Sequence, residues 1–267
     1  GRQPLGADAV VDVALHLEVE AEHRAVQVND VVRPDHVAAV AARQRLGEPD
    51  EPLQRRVVID VRHADLGDLV EASKTALILQ ECQQGVIGKH SALPELARAA
   101  QQELIPNAAR LARAARGAGV RVIHCTAVLR EDFFGLNQNA RLFQHMRKAP
   151  VKLWPGTQAA QIVPEIEVQQ ADVVITRSQG LSPFTGSELD LVLRNAGITT
   201  LVVAGVSVNV AIQNVCFDAV NHAYQVVIPR DAVAGTPREY AEQVLQHTLS
   251  LVATLTTTQD VIAAWSR

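Results

Sequence analysis

A chain of 267 residues, 48% hydrophobic and with a formal net charge of −4, has the length for one large domain, or one domain plus an extension, with a sizeable core. The mildly acidic balance, without a Lys/Arg block or interleaved aromatics, leaves no electrostatic footprint for nucleic acid. No stretch approaches the roughly 18 apolar residues of a membrane span and no basic-then-apolar leader opens the chain. A cytoplasmic protein with a small-molecule partner is therefore expected.

Residues 1–73 contain no Phe, Trp, Tyr, Met, Cys or Lys. A segment without aromatics or long apolar runs has poor means to build its own core. It is expected to be an N-terminal extension, poorly ordered or lying on the main domain, and a candidate for a piece foreign to the natural mature chain. At Lys74 the character changes. TALILQE (75–81) predicts a short buried strand ending in a carboxylate. LPELARAAQQELIPNAARLARAARGAG then has helical apolar spacing, interrupted by Pro106 and closed by glycine. VRVIHCT (120–126) is a second strand.

The irregular stretch EDFFGLNQNARLFQHMRKAPVKLWPGT follows, holding Phe133, Phe134, Phe143 and Trp154. Next come a strand (ADVVITR), a helix from Ser187 closed by Gly197, a strand (TTLVVAG), a helix after Asn209, a strand and loop (YQVVIPRDAVAG), a helix from Pro237 and a last short strand. Strands alternating with helices predict right-handed crossovers and a mainly parallel sheet covered on both faces. The fold class is thus a three-layer α/β sandwich with a Rossmann-like sheet over residues 74–267. Ligands in such sheets sit outside the carboxyl ends of the strands. That selects Glu81, Thr126, Arg177 and the turn from Gly205 to Ala211.

The three cysteines, Cys82, Cys125 and Cys216, are widely spaced and beside apolar segments, which reads as core packing rather than disulfides or zinc ligation. His124 is expected to bond a backbone carbonyl, with no second ligand at metal spacing. No metal and no cofactor is expected. A dinucleotide site would need GxGxxG after the first strand, where ECQQGVIG stands, and no GxxxxGK[ST] occurs. A serine hydrolase would use Ser207, Asp231 and His247 in that order, but GVSVN lacks the glycine of a nucleophile elbow and His247 falls within a helix.

Three ordered motifs resemble the isochorismatase-like hydrolases, the cysteine hydrolase superfamily, over residues 75–265. ILQECQ is similar to the family's strand ending in Asp-x-Gln, with Glu81 at the acid and Gln83 at the glutamine. VVITRSQGLSPFTGSELD is similar to the strand ending in lysine, with Arg177 at that lysine. GVSVNVAIQNVCFDA is similar to Gly-x-x-Thr-x-x-Cys-x-x-x-Thr-x-x-Asp-Ala, with Val208 and Val215 at the threonines and Ala211 at the cysteine. The resemblance implies the family fold, a homo-oligomer (dimer or tetramer) and a non-proline cis peptide near Ser207 and Val208. It also implies that Glu81, Arg177 and Ala211 occupy the catalytic positions.

All three positions depart from the Asp-Lys-Cys triad, and a methyl group cannot attack a carbonyl. Cys216 lies five residues further along the helix, about 140° around it, and does not replace the thiol. What survives is a carboxylate, a fixed cation on a neighbouring strand and the amides of a helix start around Ser207 and Val208. These suit a small polar or anionic metabolite, with Glu81 as acid or base and Arg177 as anion clamp. The alternatives are a structural ion pair and an inactive family member that binds a small molecule or serves as a scaffold. The irregular stretch reads either as a lid contributing Phe133, Phe134, Asn139 and Arg141 or as satellite core.

Overall fold

The computed structural model describes residues 65–89 and 91–267; the extension expected over 1–73 falls outside them up to residue 64. Seven parallel strands form one sheet: β1 (Thr75–Gln80), β2 (Arg121–Ala127), β3 (Val173–Arg177), β4 (Thr200–Val206), β5 (Gln225–Pro229), β6 (Val233–Ala234) and β7 (Thr254–Thr256). The order is β3-β2-β1-β4-β5-β7, with β6 pairing with β4. β1 and β4 are buried along their whole length, which is why they read as continuous apolar runs rather than as alternation.

Each face of the sheet carries its own core. On one side Leu77, Leu79, Val202 and Ala204 pack with Ala108, Leu111 and Ala112 of the helix Ile105–Gly117. On the other, Ile78, Ile123, Leu201 and Val203 pack with Leu193, Val215 and Leu245 of the helices Leu189–Asn195, Gln213–Asn221 and Arg238–His247. Fully burying one such leucine or isoleucine stabilises the domain by about 1.5–3 kcal/mol. All three cysteines are buried and free.

Several boundaries differ from the sequence reading, each for a local reason. The break expected at Pro106 is absent. One helical run continues through Pro94–Ala99, a wider π turn at Ala100–Leu104 and Ile105–Gly117. The π turn just before the proline gives its ring room where an α-turn would clash with the carbonyl four residues back. The helix expected from Ser187 begins at Leu189, whose N–H donates to Ser187 Oγ at 3.0 Å. A last helix, Thr258–Trp265, was not anticipated; Thr257 caps it by accepting from the Asp260 N–H at 3.2 Å. Packing also starts before Lys74. Val70 is buried, and Trp265 Nε1 donates to its carbonyl at 3.1 Å.

At the carboxyl ends of β1 and β4 the backbones approach closely. Gly205 has φ +119°, and a Cβ there would lie 2.1 Å from the Gln80 carbonyl oxygen. Only glycine fits that approach. It brings the turn after β4 against the residue that follows β1, Glu81.

Candidate active site

Glu81 leaves β1 with φ +53°, an uncommon region for a residue with a side chain and one found often at functional sites. Its N–H donates to the Cys125 carbonyl at 2.8 Å. Its Oε1 accepts from Gln80 Nε2 at 2.9 Å and from Arg177 Nη2. Arg177 does not stand on a neighbouring strand, as the sequence reading held. β2 lies between β1 and β3, so the arginine crosses the end of β2, where Ala127 is its register partner. Two strand spacings are roughly 9–10 Å, a gap that a Glu and an Arg close together.

Gln83, fully buried, holds that end of β2 in place. Its Oε1 accepts from the Ala127 N–H at 2.8 Å, and its Nε2 donates to the carbonyls of Ala127 and Ala160, each at 2.9 Å. Gln80 was missed in the sequence, although it is the one amide in an otherwise aliphatic, fully buried strand apart from Thr75.

The third element is the start of the helix after β4. The Val206–Ser207 peptide is cis, at the place the resemblance implied. Val208–Ile212 forms a π turn whose Val210 and Ile212 N–H groups both donate to the Ser207 carbonyl, at 3.1 and 3.0 Å. Ala211, between them, makes no bond to that carbonyl. Glu81, Arg177, Ser207 and Ala211 all line one cavity of about 190 Å³. Its remaining wall is largely apolar, with Leu96, Leu129, Met146 and Leu153 among the contributors. An apolar cavity with a few convergent polar groups is the usual form of a small-molecule site.

The irregular stretch after β2 contributes, but of the expected residues only through Phe133, together with others. Leu142, His145 and Met146 of the helix Arg141–Lys148 line the main cavity. Phe133 lines a smaller adjoining one, with Arg147 and Lys152 over its ring at 5.1 and 5.5 Å. Phe134 is 77% exposed, and Asn139 and Arg141 are exposed and outside both linings. Val208 is buried among the apolar residues behind the site. Met146 and His145 were legible only as residues of an amphipathic turn, since nothing local says which loop helix folds back over a strand end.

The serine-hydrolase arrangement does not form. Asp231 accepts from the Thr258 N–H and Oγ1 at 2.7 and 2.9 Å and from Asn107 Nδ2 at 3.2 Å. His124 pairs through Nε2 with Asp172 Oδ2 at 3.0 Å, a carboxylate rather than the backbone carbonyl expected. Among the described residues no group of three or more His, Cys, Asp or Glu could hold a metal ion, and no helix is long and apolar enough to cross a membrane.

A parallel sheet with helices on both faces and a pocket at its carboxyl edge defines a three-layer α/β domain. Residues 75–260 match the family model for the isochorismatase domain, and the chain belongs to the isochorismatase family. It is 32% identical over 103 residues to an isochorismatase family protein of Bacillus subtilis (strain 168), covering 39% of this chain and 54% of that protein. A ureidoacrylate amidohydrolase of Stutzerimonas stutzeri (strain A1501) is 28% identical over 211 residues, covering 74% of this chain and 82% of the relative. Among solved structures, a cysteine hydrolase from Pseudomonas syringae pv. phaseolicola 1448A superposes with a TM-score of 0.63 at 22% identity, covering 74% of this chain and 95% of that one. The chain thus spans about half the length of the first of these relatives and most of the other two.

Proposed function

We propose that this family member acts on a small polar or anionic metabolite through water rather than a thiol, with Glu81 as its acid–base group. One observation carries the reading: Glu81, Arg177 and Ala211 line the same cavity, and a methyl group stands where a nucleophile would. In this reading Glu81, whose Oε1 accepts from the Arg177 guanidinium, takes a proton from water before it gives one. That favours cleavage of an amide or imide over a vinyl ether, whose hydrolysis opens with proton donation. A relative named as an amidohydrolase supports the same direction.

In such a reaction Glu81 removes a proton from a water molecule as its oxygen bonds to the carbonyl carbon. The carbonyl π pair moves onto oxygen, where the N–H groups between Ser207 and Ala211, other than that of Val210, which is bonded to the Ser207 carbonyl, stabilise it. The pair then returns, the C–N bond breaks, and the amine leaves with the proton from Glu81. No enzyme-bound acyl group forms.

The direct Glu81–Arg177 bond favours a second reading, an inactive member that binds a small molecule or serves as a scaffold. A panel of amides, imides and vinyl ethers tested on the protein and on Glu81→Gln separates the two. Turnover lost in the variant supports the enzyme, and binding without turnover in either protein sinks it.

A further inference from the structure

Arg177 leaves two of its donors unexplained. Nη2 is committed to Glu81, yet Nε and Nη1 are buried and without a hydrogen-bond partner among the described residues. The side chain is 8% exposed, so water does not readily compensate them. A buried, unsatisfied donor on a charged group is costly, and native proteins rarely keep one without a ligand, water or ion to accept from it.

Arg177 lines two adjoining cavities that differ in charge. In the main cavity Glu81 and Arg177 cancel, and a ligand anion placed beside Glu81 would meet a like charge. The smaller cavity, of about 30 Å³, is lined by Arg177 and Arg147 and by no carboxylate among the described residues. Lys152, 5.5 Å above the Phe133 ring that forms part of its wall, adds a third cation nearby. Asn137 Oδ1 accepts from the Gly180 N–H at 3.0 Å, which ties the loop after β3 to the segment carrying Phe133. One water needs roughly 10–15 Å³ of such space, so this cavity suits a group of two or three heavy atoms.

We propose that the smaller cavity is a carboxylate subsite: Arg177 and Arg147 hold the carboxylate of an elongated monocarboxylate, whose apolar body extends into the main cavity beside Glu81 and Ala211. The two cavities share Ala127, Leu129, Met146 and Gly180 as well as Arg177, so one molecule can occupy both. The assignment rests on the main cavity being the ligand pocket, as in the proposed function, but on no turnover.

The test is calorimetric binding of hexanoate and octanoate against methyl ketones of matched length, which share the shape, lack the charge and cannot be hydrolysed. The expected result is roughly tenfold or greater preference for the carboxylates, as charge-assisted bonds to two guanidinium groups imply. Arg147→Gln should cut that ratio severalfold, leaving the part that Arg177 holds. Arg147 is an exposed helix residue, so the variant is expected to keep its fold, and circular dichroism checks that. Equal affinities in the unaltered protein, a preference that Arg147→Gln leaves intact, or binding of neither series overturns the subsite. The outcome is separate from that of the hydrolysis panel. Carboxylates that bind while every amide and vinyl ether is inert leave the subsite standing and remove the enzyme, and hydrolysis without carboxylate preference does the reverse.

Discussion

Arg177 Nη2 donates to Glu81 Oε1 across the end of a strand that carries neither residue. The pair is mostly buried, at 8% and 16% side-chain exposure, so each member leaves a poorly solvated charge behind when the other is removed. Arg177→Met is expected to cost about 3 kcal/mol of stability, the scale for breaking a buried pair. The double variant with Glu81→Gln should recover more than half of that, because both charges are then gone. Urea unfolding of the four proteins measures it. Additive losses in the double variant would mean that the pair has no energetic coupling.

Ala211 lines the main cavity, whereas burial pushes the thiols of Cys82, Cys125 and Cys216 up to about 12. The folded protein should therefore resist alkylation by iodoacetamide near neutral pH, since the thiolate is the reactive form. Ala211→Cys should add one reactive thiol, counted by mass spectrometry as a single adduct that appears well before any other. Labelling of a native cysteine at a similar rate would place it nearer the cavity than its burial allows.

The fold was legible because its evidence is local and repeated. Runs such as TALILQ and TLVVAGV are apolar on both faces, and glycines and helical spacing separate them. The site was legible in part: strand ends named Glu81 and Arg177, and the register around Gly205 and Asp218 named Ala211. The sequence does not record strand order, so Arg177 was assigned to the adjacent strand. Nor does it record which face of the helix Arg141–Lys148 returns to the pocket, so Leu142 and Met146 were passed over for Phe134 and Arg141. Long-range packing decides both, and neither leaves a periodic trace.

Gly205 gives a sharper test of how the site is assembled. Its φ of +119° disfavours any side chain, and a Cβ would meet the Gln80 carbonyl oxygen at 2.1 Å and its nitrogen at 2.8 Å. Those atoms belong to the backbone of a central strand, which cannot swing aside as a flexible side chain can. Gly205→Ala is expected to cost about 3 kcal/mol or more, above the usual 1–3 kcal/mol for a strained residue because a clash is added. Thermal unfolding should show a fall of roughly 8 °C or more for that loss. A variant melting within a degree or two of the parent would show that the approach of β4 to β1 is soft.

His124 and Asp172 predict how stability depends on pH. Burial lowers the His124 pKa below the ordinary histidine value of 6.5, against the opposing pull of the Asp172 carboxylate. Folded His124 is thus neutral where the unfolded chain begins to take up a proton. Below about pH 6.5 the unfolded state binds more protons than the native one, so stability falls as pH falls, until the lower folded value is reached. Asp172 adds a second window. Burial acts to raise it, but the Arg116 guanidinium, the Gln169 N–H and His124 together hold it below the ordinary aspartate value of 3.8. Its contribution is intact above that value and is lost as pH falls through the folded pKa. His124→Gln keeps a donor for Asp172 and removes only the upper window. Urea midpoints measured from about pH 7.5 down to about pH 5 should fall for the parent and stay flatter for the variant, while both decline together in stronger acid. Parallel curves across the upper range would assign the loss to groups other than His124.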